Sequence, residues 1–141
     1  MSEKKYSKDE VLQNYRNAWK TKKLDEDTYA EDIEFYAPMK VFKGRKAVVD
    51  ALKNWFLMLH EVSEFSYIIG NDQATMLSKV LLNNSDGDNY LIWEYDYFKF
   101  NSRGQIQLYR PIFDSGKATF ELLGFDIAAR CSEARKLADR N

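Results

Sequence analysis

Apolar residues recur at three- and four-residue steps over three stretches of this 141-residue chain, and at alternate positions over most of the remainder. The first helical stretch runs from Asp9 to about Thr21. Val11, Leu12, Tyr15, Ala18 and Trp19 fall on one face of it, which predicts an amphipathic helix. Ser7 stands at the N-cap position with Glu10 three residues on, a capping-box spacing, and the lysines between 20 and 23 suit the C-terminal end of the helix dipole. One short helical turn is expected between Leu24 and Tyr29. The second stretch, Arg45 to His60, is the strongest: Ala47, Val48, Ala51, Leu52, Trp55, Phe56 and Leu59 form one broad apolar face. The third begins near Phe125, after Gly124, with Ile127, Ala128, Cys131, Ala134, Leu137 and Ala138 in step.

Period-two patterning marks the strands. Ile33 to Tyr36 reads as one, ended by Ala37-Pro38 because proline removes a ladder donor, and Val41-Phe42 as a second, closed by Lys43-Gly44. Phe65 to Ile69, Ala74 to Leu82, Tyr90 to Phe100 and Gln105 to Phe113 are rich in β-branched and aromatic residues. Turn chemistry at hairpin length separates them: Gly70-Asn71-Asp72, Asn83 to Asp88 and Asn101 to Gly104. Four consecutive strands joined in this way predict an antiparallel meander, with the preceding helices free to cover one face. The fold class expected is α+β, in a single domain spanning 1–141 with no linker or repeat.

Composition narrows the function classes. The chain carries 21 basic and 22 acidic side chains for a net charge of −1, so nothing draws it to a phosphate backbone or an anionic membrane. One cysteine, Cys131, and one histidine, His60, exclude a disulfide framework and a multi-cysteine zinc site; no metal and no cofactor are implied. No apolar run approaches the ~18 residues needed to span a bilayer. The opening MSEKKYSKDE lacks the apolar core of a signal peptide, so a cytoplasmic protein is expected. Aromatic content of 15% is high, and those rings need a core, a pocket or an interface to occupy.

The order of elements and several short motifs resemble one superfamily. Gln13-Asn14-Tyr15-Arg16-Asn17-Ala18 followed by Leu24-Asp25 is similar to the opening helix of ketosteroid isomerase. Tyr29-Ala30-Glu31-Asp32-Ile33 resembles that family's entry into its first strand, and Phe42-Lys43-Gly44-Arg45-Lys46-Ala47-Val48 the start of its third helix. Tyr95 to Asn101 with Gly104-Gln105-Ile106, continued by Arg110-Pro111-Ile112-Phe113, resembles its late hairpin. Over about residues 8–114 the chain thus resembles the SnoaL-like, nuclear-transport-factor-like superfamily. The resemblance implies a cone-shaped, curved antiparallel sheet of about six strands, covered by the N-terminal helix, a short helix and a long third helix. A C-terminal helical extension, about 118–141, would follow. That fold hosts isomerases, cyclases, hydrolases and inert binding modules, so it does not by itself name an activity.

Asp96 is the first candidate for chemistry. Alternation puts it on one strand face with Glu94, Phe98 and Phe100, and the resemblance turns that face toward a pocket. There it would be either a protonated hydrogen-bond donor or acid/base, as in isomerase and cyclase relatives, or a structural carboxylate held by neighbours. Tyr15 matches the isomerase's oxyanion-stabilising tyrosine and could share a ligand oxygen with Asp96; the alternative is a core residue with its hydroxyl satisfied locally. The isomerase's base precedes the proline that ends the first strand, and that position is Ala37, so ketosteroid isomerase activity is not expected. Glu94 is the available substitute base, unless it sits at the rim paired with a lysine or arginine. His60, at the end of the long helix, is read as a dipole partner, and Cys131 as packing.

Trp19, Tyr29, Leu52, Trp55, Phe56, Leu59, Phe98, Phe100, Tyr109 and Phe113 are the expected lining of a pocket for a hydrophobic small molecule. Such a pocket serves either a cofactor-free isomerase, cyclase or dehydratase or a non-catalytic ligand-binding or association module. Trp93, Tyr95 and Tyr97 occupy the opposite strand face and predict, with the resemblance, a homodimer through the outer side of the sheet.

Overall fold

A computed structural model describes residues 3–38, 40–83 and 89–114, together with Lys136 and Ala138. Helix α1 (Lys8–Thr21) leads through a 3-10 turn (Glu26–Thr28) into strands β1 (Tyr29–Ala37) and β2 (Lys40–Lys43). Helix α2 (Arg45–Met58) follows, and then β3 (Leu59–Ile69), β4 (Gln73–Asn83), β5 (Asn89–Phe100) and β6 (Ile106–Phe113). The six strands form one curved sheet in the order β2-β1-β6-β5-β4-β3, and the two helices pack on one side of it. The C-terminal helix expected from about 125, with Cys131, lies outside the described residues, as does the turn at 84–88.

Four differences from the sequence reading have local causes. The meander β3 to β6 is antiparallel throughout, but β1 joins β6 in parallel, so the sheet is mixed. That parallel pair closes the order because β1 and β2 come before α2 in the chain and must dock on the free edge of the meander. Helix α2 stops at Met58, and Leu59-His60 already belong to β3, which starts six residues before the predicted Phe65. His60 is therefore a strand residue and no partner of the helix dipole. The C-terminal carbonyls of α2 are served instead by the Lys22 ammonium, which donates to the carbonyls of Phe56 and, at 2.7 Å, Leu59. Ser7 does occupy the N-cap of α1, but its side chain makes no capping hydrogen bond.

Curvature has visible sources. The β3–β4 register slips between Ser63 and Ser66, where Glu64 adopts a positive φ of 49°, and β5–β6 slips between Lys99 and Phe100. Each extra residue bends its strand and adds twist. At the tip of the β5–β6 hairpin, Gly104 takes φ 82°, and a Cβ there would stand 2.1 Å from the Tyr6 carbonyl oxygen. Only glycine lets the N-terminal segment cross this turn.

The core lies between helices and sheet. Val11, Leu12, Tyr15, Ala18 and Trp19 from α1 and Val48, Val49, Leu52 and Phe56 from α2 are buried against the inner face. That face is contributed by alternate residues, Met76 and Val80 on β4 and Ile92, Glu94, Asp96, Phe98 and Phe100 on β5. Among these apolar groups, two carboxylic acids are fully enclosed.

Candidate active site and cleft

Strand alternation aims Glu94 and Asp96 inward, and both are buried, at 1% and 0% exposure. Tyr109 arrives from the neighbouring strand. Asp96 pairs with Pro111 and Phe98 with Tyr109 across the β5–β6 ladder, so the Tyr109 ring reaches Asp96 diagonally. Its hydroxyl donates to Asp96 Oδ1 at 2.7 Å and stands 3.4 Å from Glu94 Oε1. On its other side the Tyr15 hydroxyl, brought down from α1, lies 2.5 Å away. With the Tyr109 proton directed at Asp96, Tyr15 is the donor of the second bond. The network thus runs Tyr15 to Tyr109 to the Glu94–Asp96 pair.

The Tyr109 ring is held flat between Phe98 and Phe35, each with ring centroids 5.0 Å away, and Phe42 continues the stack on Phe35 at 5.6 Å. Tyr15 meets Tyr109, Phe98, Trp19 and Phe56 edge to face. The polar cluster is therefore enclosed by rings, and water is excluded.

That enclosure sets the protonation. Burial pushes Glu94 well above the usual carboxylate range, and the Asp96 charge beside it and their mutual hydrogen bond push it further. Asp96 is raised to about 6 by burial, opposed by the hydrogen bonds it accepts from Glu94 and Tyr109. Two acids this close do not both ionise readily, so burial and mutual repulsion favour a state in which the pair shares one proton. Burial also drives the phenols of Tyr15 and Tyr109 well above their ordinary value, with the nearby carboxylates adding to the effect. Among the described residues Asp96 Oδ2 has no hydrogen-bond donor, and the Ser78 hydroxyl, opposite Glu94 on β4, has no partner either.

In front of Tyr109 opens a cleft of about 530 Å³. Phe35 and Ala37 of β1, with Pro38 beyond it, form one wall, and Phe42 of β2 extends it. Ala51 and Trp55 of α2 form the opposite wall, while Tyr109, Pro111 and Phe113 of β6 make the floor. Trp55 and Phe113 stack on each other at 5.7 Å. Lys40, Asp50 and Asn54 supply the polar groups. A larger, charged hollow of about 970 Å³ beside the start of α2 shares no residue with the tyrosine–carboxyl network. Among the described residues no cluster of three or more histidines, cysteines and acids could hold a metal ion, and no helix is long and apolar enough to cross a membrane.

Several solved structures share this architecture. One is an NTF2-like protein of unknown function from Burkholderia pseudomallei, at TM-score 0.69 and 11% identity over 82% of this chain and 97% of that one. Another is a steroid delta-isomerase from Pseudomonas aeruginosa, at TM-score 0.68 and 13% identity over 96% of this chain and 99% of that one. TerC, co-crystallised with polyporic acid, matches at TM-score 0.67 and 14% identity over 84% of this chain and 98% of that one. The chain has the NTF2-like fold. No family model and no curated protein matches the sequence, so this likeness is carried by three-dimensional structure.

Within the NTF2-like cone the expected site residues separate into groups. Asp96, Glu94 and Tyr15 come together in one network. Glu94 is not at a rim, and among the described residues its partners are Asp96 and Tyr109 and no lysine or arginine, because its strand position points it into the core. Of the expected pocket lining, Trp55, Tyr109 and Phe113 border the apolar cleft. Leu52, Phe56, Phe98 and Tyr29 are buried in the core and do not border it. Trp19 and Leu59 border a separate hollow at the far end of α1, and Phe100 one beside the β5–β6 turn. The sequence reading did not anticipate Phe35, Phe42 or Pro38 as cleft walls, nor Tyr109 as the link between Tyr15 and Asp96. Alternation of Phe35 with Ile33 and Ala37 carried part of that signal. The outward face holds Trp93 and Tyr95 at 46% and 53% exposure, and Tyr97 half-buried with its hydroxyl on Gln73.

Proposed function

We propose that this protein binds a small hydrophobic molecule in the cleft between α2, the β1–β2 hairpin and β6. The observation that supports it most directly is the lining: aromatic rings, proline and alanine around about 530 Å³ of open space, a volume within the usual range for ligand sites. Two of the solved structures that share the fold, a steroid delta-isomerase and TerC co-crystallised with polyporic acid, agree in kind with a ligand-binding protein.

A second reading, cofactor-free acid/base isomerisation, cyclisation or dehydration, is favoured by one observation. Tyr109 both borders the cleft and is hydrogen-bonded to Asp96, so in this reading its hydroxyl leaves Tyr15 or Asp96 to carry a proton between the buried acids and a ligand. Asp96, Glu94 and Tyr15 act on the ligand through it. Ala37, which lies in the cleft wall, offers no base, so steroid isomerisation is not part of the proposal.

Intrinsic fluorescence tests the binding reading, because Trp55 lines the cleft while Trp19 is buried elsewhere. A panel of one- to three-ring apolar compounds should raise the melting temperature and alter the emission, and Trp55→Phe should abolish the emission change. If no compound moves either signal, the proposal fails. The exposed Trp93–Tyr95 face, with Ile112 at 56% exposure beside it, supports the further proposal of a homodimer through the outer sheet.

A further inference from the structure

Resting on the binding reading, we infer that the ligand is a hydrophobic organic anion, held with its apolar end inward and its carboxylate or other anionic head at the mouth, on Lys40 and Asn54. Two features of the cleft fix this orientation. The first is that its inner end has no free polar group to offer. The Tyr109 hydroxyl is committed to Tyr15 and Asp96, at 2.5 and 2.7 Å. A polar head pushed inward would lose its water and gain no partner, which is costly. An anionic head would also approach the Glu94–Asp96 pair, the one acidic centre behind that wall.

The second feature is the charge at the mouth. Lys40, Asp50 and Asn54 are the polar residues of the cleft. Asp50 is already neutralised by Lys46 at 2.9 Å on the same helix. No acidic group among the described residues pairs with Lys40. Its ammonium lies 4.9 Å above the Phe42 ring, which stacks on Phe35 and through it on Tyr109. Among the described residues, a cation without an acidic partner therefore stands at the outer end of a ladder of rings. A flat apolar body along that ladder puts its head group beside Lys40, and the Asn54 amide on the facing helix can donate to the same head. Charge-assisted hydrogen bonds to an ammonium are stronger than neutral ones, so the anion is preferred over an uncharged analogue of the same shape.

The test compares 2-naphthoate with 2-naphthylmethanol, its uncharged near-isostere, by calorimetry on the full chain at neutral pH. The naphthoate should bind about 10-fold more tightly at low salt, and the preference should shrink toward about 0.5 M salt. Lys40→Gln should lower naphthoate affinity to about that of naphthylmethanol and so remove the preference, while Lys40→Arg should retain it. Equal binding of the two compounds, or a carboxylate preference that survives in Lys40→Gln, overturns the inference but leaves the apolar cleft standing. Failure of both compounds to bind overturns the cleft reading and this inference with it.

Discussion

The Tyr15 and Tyr109 hydroxyls meet at 2.5 Å although 94 residues separate them along the chain, one on the first helix and one on the last described strand. The contact determines what the buried acids can do. Tyr109 bridges Tyr15 and Asp96, so both hydroxyls and one Asp96 oxygen are satisfied from within the fold.

Tyr109→Phe keeps the ring stack and removes the bridging oxygen. Both Tyr15 and Asp96 then lose a partner in a buried site, and a loss of about 1–3 kcal/mol is expected in urea denaturation. Because the Tyr109 hydrogen bond holds the Asp96 pKa down, the variant's Asp96 should titrate higher, as read by carboxyl carbon shifts in NMR. An unchanged titration would mean that the hydroxyl does not serve Asp96.

Asp96→Asn tests the acid pair by its pH dependence. The native pKa is raised from an ordinary 3.8 to about 6, so below about pH 4 both folded and unfolded chains hold the proton and nothing is lost. As pH rises from about 4 to about 6 the unfolded state is ionised while the native chain still holds the proton, and native stability falls relative to a residue that cannot ionise. The Asn variant should match the parent at pH 4 and equal or exceed its melting temperature at pH 7. An Asn variant clearly less stable at pH 7 would show Asp96 to be a structural anion.

Ser78→Ala removes a buried hydroxyl that has no partner. The substitution should be neutral or stabilising by up to about 1 kcal/mol, since nothing is left unpaired by it. A substantial loss in a thermal melt would reveal a hydrogen bond from Ser78 to the Glu94 carboxyl opposite.

Tyr95→Glu places a charge at the centre of the exposed outer face, where Tyr95 stands across the ladder from Leu77 and Ile112. If two chains pair through this face, sedimentation at micromolar concentration should show a dimer in the parent and mostly monomer in the variant, which would bury an unpaired charge. A parent that is monomeric at every concentration defeats the dimer.

Local pattern carried much of this protein. The apolar periodicity of α1, the alternation in β4 to β6 and the turn residues between them placed the elements in order, and strand geometry alone put Glu94 and Asp96 on one face with Phe98 and Phe100. What alternation cannot fix is which inward residue meets which. The parallel docking of β1 on β6 turned Phe35 onto the Tyr109 ring, and the seating of α1 brought Tyr15 onto its hydroxyl. Leu52, Phe56 and Phe98 look like pocket residues by type and spacing, yet close packing of helix on sheet leaves them no free surface. The open space lies instead beside the β1–β2 hairpin, where Ala37, Pro38 and Ala51 are too small to fill it. Side-chain direction is a property of the local backbone, whereas contacts and cavities depend on how separately formed elements come to rest against one another.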